Sequence, residues 1–140
     1  ESAIEYAEPD RCKRGAQLAA GAGIGLTPAG DDFLLGVLLA FWLALENPPP
    51  YCDSLLTGTV GRTGRLSVAL LEAAARGEAG LAWHRLVEAI VRAGTQSIRR
   101  TAASLLEFGH SSGADALFGF AMALEAIGRH RGVVGRPLPS

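Results

Sequence analysis

The feature that constrains this chain most is an apolar run of thirteen residues, Phe33 to Leu45, entered directly from the glycine-rich segment GAGIGLTPAGDD. A helix that is apolar all round is typical of one buried on every side. The run is too short for a membrane helix, which needs about 20 such residues. We therefore predict a buried helix from Ala29 to Glu46.

Helical periodicity recurs along the rest of the chain, without the sustained two-residue alternation that is typical of strands. Further helices are predicted at Pro9–Ala20, Arg65–Arg76, Leu81–Ala93, over TQSIRRTAASLLEFG up to Gly109, and at Ala114–His130. The sequence thus predicts one all-α domain, residues 1–140, folded as a compact bundle of about six helices. Two central apolar helices are entered by glycine-rich loops, and the tail GVVGRPLPS is predicted to be irregular.

Proline and glycine interrupt the pattern after the central helix. The prolines of NPPP, residues 47–50, end that helix because proline cannot continue it. Gly58, Gly61 and Gly64 follow at every third position and weaken helix formation there. No helix is predicted between Asn47 and Gly64.

The charge balance limits the partners of this chain. Lysine and arginine number 13 and aspartate and glutamate 14, giving a net charge of −1. No basic face is indicated, which argues against nucleic acid and anionic membranes as partners. Charged residues make up 19% of the chain, below the roughly 25% typical of soluble domains. We therefore expect either an unusually large buried fraction or a surface that is partly covered by a partner subunit or by a further domain.

The cysteines and the start of the sequence bear on the cellular location and on the extent of the protein. Cys12 and Cys52 form no CxxC pattern, and no signal peptide is visible, so reduced thiols and a cytoplasmic location are expected. Since the chain begins at Glu1 without methionine, we expect it to be the C-terminal part of a longer protein.

The opening motif occurs twice. AGDDFLLG begins at Ala29 and SGADALFG begins at Ser112, and both contain G-x-D-x-L-x-G before an apolar helix. An offset of 83 residues aligns Gly30 with Gly113, Asp32 with Asp115, and Gly36 with Gly119. The repeat predicts two halves of one site, in which Asp32 and Asp115 lie close together and their helices cross near Gly36 and Gly119.

A helix N-terminus behind glycines is suited to a small anion, because it presents unpaired N–H groups and a partial positive charge. The residues predicted to bind such a substrate are Gly25, Thr27, Gly30, Asp31, Ser111, Ser112 and Gly113. A purely structural interpretation is also open. Ser112 and Asp115 have the spacing of a capping box, Thr27 before Pro28 resembles a helix cap, and the glycines allow close packing.

Two long motifs, GIGLTPAGDDFLLG and GHSSGADALFG, resemble the family named for AllH, a subunit of the oxamate carbamoyltransferase of the anaerobic allantoin pathway. An intervening T-x-x-x-S element, Thr63 to Ser67, also matches, and the resemblance extends from about Gly21 to Gly128. The chain departs from the family at Ala29, where the family pattern has serine.

The resemblance implies carbamoyl transfer between carbamoyl phosphate and oxamate, with other protein subunits or a homo-oligomer as partners. On this hypothesis His110 protonates the departing phosphate or donates to the carbonyl oxygen. Asp32 and Asp115 orient the donors or hold a cation, and these three residues are the predicted catalytic set. No metal site and no cofactor are predicted, although Mg²⁺ stays open.

Two other functions remain open at this point. Asp31, Asp32 and Asp115 could bind Mg²⁺ with the Thr27 or Ser112 hydroxyl, as in ADP-ribosyl-glycohydrolases, because Mg²⁺ prefers oxygen ligands. The GDDT and GDTDT patterns of those enzymes are absent from this chain. The domain could also be a non-catalytic structural or ligand-sensing subunit whose glycines serve helix packing alone.

Overall fold

Seven α-helices and no strand make up the part of the chain that the computed structural model describes, residues 3–109, 111–130 and 132–139, with side chains from residue 9 onward. They are α1 (Ala3–Ala19), α2 (Ala29–Ala44), α3 (Pro49–Thr59), α4 (Arg65–Ala75), α5 (Leu81–Val91), α6 (Thr95–Leu106) and α7 (Ser112–His130). The predicted all-α class is confirmed, and the helix count is close to the predicted six.

Helices α2 and α7 form the centre of the fold and make the most extensive contact of any two helices described. Leu38, Leu39 and Leu43 of α2 are completely buried, as the apolar run predicts. A Cβ atom on Gly36 would collide with the carbonyl oxygen of Ala116, and one on Gly119 would collide with that of Phe33. The two glycines therefore let the backbones touch, which confirms the predicted crossing.

Helix α3 is present although the sequence pattern does not predict it. It begins at Pro49, after Pro48 at the N-cap position. Proline is tolerated in a first helical turn, where the backbone N–H has no partner in the helix. Gly58, which we expected to weaken a helix, is buried in α3. Its position requires glycine, because a Cβ there would collide with the carbonyl oxygen of Lys13 on α1. Helix α1 also differs from expectation, since it begins at Ala3 and contains Pro9.

The C-terminal tail is irregular, as predicted, but it packs against the end of α2. The N–H groups of Val134, Gly135 and Arg136 donate to the carbonyl oxygens of Ala44 and Leu43 over 2.9–3.1 Å. The Arg136 guanidinium adds hydrogen bonds to the carbonyl oxygens of Leu45 and Glu46. The tail thus caps the carbonyl groups that the end of a helix leaves unpaired.

None of the helices described is both long enough and apolar enough to cross a membrane.

Two glycines on α7 provide a test of the crossing. We expect Gly119→Ala to lower the free energy of unfolding by about 2 kcal/mol or more, because the added methyl group meets backbone that cannot move aside. Gly128→Ala is the matched control, since its Cβ would lie 3.9 Å from a Val133 methyl group. It should raise stability by about 1 kcal/mol through helix propensity. Denaturant titration measures both, and similar effects of the two substitutions would contradict the crossing.

Candidate functional site

A cleft of about 580 Å³ opens where the first turns of α2 and α7 meet α5. Its polar side chains are Thr27, Asp32 and Ser112, all of which belong to the two predicted motifs. The remaining wall is mostly apolar and comes from five helices and two glycine turns, with Leu35, Leu70, Gly80, Leu81, Ala82, Trp83, Leu105, Phe108, Gly109, Gly113 and Ala116. A few polar groups converging in an apolar cleft are typical of a small-molecule site.

Asp32 is the buried charged group of this cleft. Its residue surface is 7% exposed, and the hydroxyls of Thr27 and Ser112 interact with its carboxylate. These two hydroxyl oxygens lie 3.3 Å from each other. Thr27 therefore joins the two motif copies across the helix pair. The capping interpretation is wrong for Thr27, because α2 follows Pro28 at the N-cap position and has no side-chain cap.

Burial raises the pKa of Asp32 above its ordinary value, because the ionised form loses hydration. The Ser112 hydroxyl opposes this effect by hydrogen bonding to the carboxylate, while the negative charge of Asp115 adds to it. Smaller effects come from the Thr27 hydroxyl, which lowers the pKa, and from Asp31, which raises it. The direct influence of Asp115 on Asp32 agrees with the predicted proximity of the two carboxylates.

Asp115 occupies the first turn of α7, as Asp32 does in α2. Its Oδ2 atom is buried and has no hydrogen-bond partner among the described residues. Most buried polar atoms in proteins have such a partner. The paired motifs thus bring together the Asp32 carboxylate, which lies beside two hydroxyls, and the Asp115 carboxylate, whose buried Oδ2 has no partner among the described residues.

Asp31 holds the glycine-rich loop rather than lining the cleft. Its carboxylate, in a residue that is 2% exposed, accepts the Gly21 N–H over 2.8 Å through Oδ1 and the Thr63 hydroxyl through Oδ2. Ser67 donates to the carbonyl oxygen of Leu26 over 3.3 Å in the same loop. Both polar ends of the T-x-x-x-S element therefore support the loop that leads into Thr27 and Asp32.

The other predicted site residues are distributed as follows. Gly113 lines the cleft, and a Cβ there would collide with the Leu105 carbonyl oxygen, so its packing alone requires glycine. Gly30 donates its N–H to the Ala22 carbonyl oxygen over 2.9 Å. Gly25 and Ser111 are exposed and do not line the cleft. His110 lies outside the described residues, between Gly109 and Ser111.

The apolar wall of the cleft is not predicted by any sequence pattern. Trp83 packs edge-on against Phe120 of α7, with ring centroids 5.2 Å apart. This contact holds the Trp83 side of the cleft wall against α7. Gly109 is the first residue of the motif GHSSGADALFG and Phe108 immediately precedes it, and this proximity is the one signal in the sequence that could have identified them. The wall is assembled from helices far apart in the chain, so no local pattern marks it.

No three aspartate, glutamate, histidine or cysteine side chains are arranged to hold a metal ion in the described part of the chain.

Comparison with known proteins gives the family. The sequence model of the family described as "Oxamate carbamoyltransferase subunit AllH" matches residues 19–124. The chain belongs to the AllH family. This AllH match contains both motif copies, the T-x-x-x-S element and every residue that lines the Asp32 cleft. No solved structure matches the chain significantly.

The raised pKa of Asp32 predicts a pH-dependent stability. A folded-state pKa above the ordinary 3.8 means that the folded protein holds the proton more tightly than the unfolded chain. This contribution is present at low pH and is lost as the pH rises through the folded pKa. Asp32→Asn removes the ionisation, so the variant should gain stability relative to the unsubstituted protein between about pH 4 and pH 7.

Thermal unfolding of both proteins across that range measures the difference. Asp53→Asn, at an exposed acid on α3, is the control and should show no such trend. A stability difference that stays constant with pH, or that falls as the pH rises, would contradict the raised pKa of Asp32.

The loop support provides a separate test. Thr63→Val removes one of the donors to the buried Asp31 carboxylate and should lower the free energy of unfolding by about 1–3 kcal/mol. Thr57→Val is matched in chemistry, since the Thr57 hydroxyl donates to the Asp53 carbonyl oxygen on an exposed helix face. It should change stability by less than about 0.5 kcal/mol. Equal losses in denaturant titrations would show that Thr63 does not support the loop.

Proposed function

We propose that this chain is the substrate-binding part of a carbamoyltransferase that exchanges oxamate and carbamoyl phosphate with oxalurate and phosphate. The observation that carries the proposal is the buried Asp32 carboxylate, which lies beside the Thr27 and Ser112 hydroxyls in an apolar cleft where the two motif copies meet. The family description, an oxamate carbamoyltransferase subunit, supports this choice of reaction.

Asp32 acts as the general base in this proposal. The amide nitrogen of oxamate attacks the carbamoyl carbon, and its proton passes to the Asp32 carboxylate. The bond between that carbon and the phosphate oxygen breaks, and phosphate leaves with the electron pair. An amide nitrogen is a weak nucleophile, so a base beside it lowers the barrier. A raised pKa makes Asp32 a stronger base than an exposed aspartate.

The groups around Asp32 stabilise the charges that develop. The Thr27 and Ser112 hydroxyls hydrogen-bond to the Asp32 carboxylate and hold this base in position for the proton transfer. Ser112 is the first residue of α7, whose N-terminus favours negative charge. Asp115 does not line the cleft, and its negative charge acts on the site by raising the pKa of Asp32. His110 is the proposed proton donor to the departing phosphate.

The apolar wall serves this chemistry by excluding water. Carbamoyl phosphate is reactive toward water, and apolar walls reduce its contact with water until the acceptor is in place. Leu35, Leu105 and Phe108 supply this apolar surface beside Asp32. No metal ion or cofactor is part of the proposed reaction.

We also propose that the chain acts together with partner subunits. The proposed location is the cytoplasm. The family description names a subunit. Ile24 and Leu26 are 94% and 80% exposed on the loop that leads to Thr27. Apolar side chains this exposed are typical of protein contact surfaces. A neighbouring subunit or a second copy of the chain seated there would border the cleft.

Ligand binding to the chain tests the proposal. Oxamate, oxalurate and carbamoyl phosphate should each raise the melting temperature, by roughly 5–10 °C at a hundred times the dissociation constant. Asp32→Asn should abolish the shift with oxamate, because the buried carboxylate is the proposed acceptor of the oxamate amide N–H. In the assembled enzyme the same substitution should lower kcat by about 100-fold or more.

The matched control is again Asp53→Asn, which should retain the full shift. A shift with oxamate that survives in Asp32→Asn would contradict the assigned role of that residue. A shift with ADP-ribose and Mg²⁺ alone would favour the hydrolase, and no shift with any ligand would favour a structural subunit.

A further inference from the structure

A second depression, of about 490 Å³, adjoins the Asp32 cleft. Leu81, Ala82 and Phe108 line both spaces, so the two share a wall. Arg85 and Glu107 provide the charged groups of the second depression. A region with a cationic side chain therefore lies on the other side of this shared apolar wall.

Arg85 lines the second depression together with the residues of this shared wall. It follows Leu81 by four residues on α5, so the two side chains lie on the same helix face. No lysine or arginine lines the Asp32 cleft itself. Arg85 has no ion pair or hydrogen bond with the described residues. Arg92 on the same helix, by contrast, pairs with Glu88 at 3.0 Å.

The hydroxyl groups of the depression are already used as donors. Thr101 donates to the carbonyl oxygens of Ser97 and Ile98, and Ser104 donates to that of Arg100. Each of these bonds lies within α6. Arg85 is therefore the side chain in the depression, among those described, that has unused donors for a ligand.

The charges of the substrates require such a group. Oxamate carries a carboxylate and carbamoyl phosphate a phosphate, and both are repelled by the Asp32 carboxylate. Arginine binds either group through two parallel hydrogen bonds. We propose that the depression at Arg85 is a subsite for the carboxylate or phosphate group of the substrate, while the amide end lies at Asp32. The subsite rests on the proposed function.

Calorimetric titration of the chain with a charged and a neutral ligand tests the subsite. Arg85→Gln should weaken the binding of oxamate, of phosphate, or of both by about 10- to 100-fold, the loss expected for a hydrogen bond to a charged group. Ethyl oxamate, whose carboxylate is masked as an ester, should bind the variant and the unsubstituted chain equally. Loss for oxamate alone assigns the subsite to the carboxylate, and loss for phosphate alone assigns it to the phosphate group.

Arg99→Gln is the matched control, because Arg99 is exposed on α6 and lines neither space. It should bind all three ligands normally. Unchanged binding of both anions by Arg85→Gln, or an equal loss for ethyl oxamate, would overturn the subsite.

The Asp32→Asn variant separates this proposal from the proposed function. Oxamate binding that survives in Asp32→Asn but is lost in Arg85→Gln would leave the subsite standing and overturn the role of Asp32. The opposite pattern would overturn the subsite alone. An unsubstituted chain that binds neither oxamate nor phosphate would contradict both proposals.

Discussion

The contact between the backbones of α2 and α7 is the constraint on which the rest of this structure depends. Gly36 and Gly119 each meet a carbonyl oxygen of the opposite helix at a distance that no side chain would permit. Interaxial distances are set by the residues at the crossing. Glycine on both helices brings the first turns close enough for Thr27 and Ser112 to touch. The site is thus a consequence of how the core packs.

The close approach of α2 and α7 brings negatively charged carboxylates together, and neighbouring hydroxyl groups partly offset their repulsion. Asp32 lies buried beside the charges of Asp115 and Asp31, and two hydroxyl groups compensate through hydrogen bonds. Asp31 is used differently, because the Gly21 N–H and the Thr63 hydroxyl bind it and fix the loop. Perturbed carboxylates in a cleft are common at functional sites, since a general base needs a pKa near the working pH.

The sequence predicted the parts of this arrangement that leave a local pattern. The apolar run predicted α2, and the repeated motif predicted the crossing at Gly36 and Gly119. Helix α3 was missed because its prolines and Gly58 resemble helix breakers, whereas the structure places them in the first turn and at a close contact. The hydrogen bond from Thr63 to Asp31 joins residues 32 positions apart. Such contacts, like the apolar wall of the cleft, depend on tertiary packing and have no local signature.

The measurement that tests the central claim most directly is a titration of the Asp32 side-chain carboxyl by carbon NMR, in the unsubstituted chain and in Asp115→Asn. If the crossing brings the two motif copies into one site, the pKa of Asp32 lies above its ordinary 3.8. It then falls when the neighbouring charge is removed. An Asp32 that titrates at its ordinary value, and that does not respond to Asp115→Asn, would contradict the account.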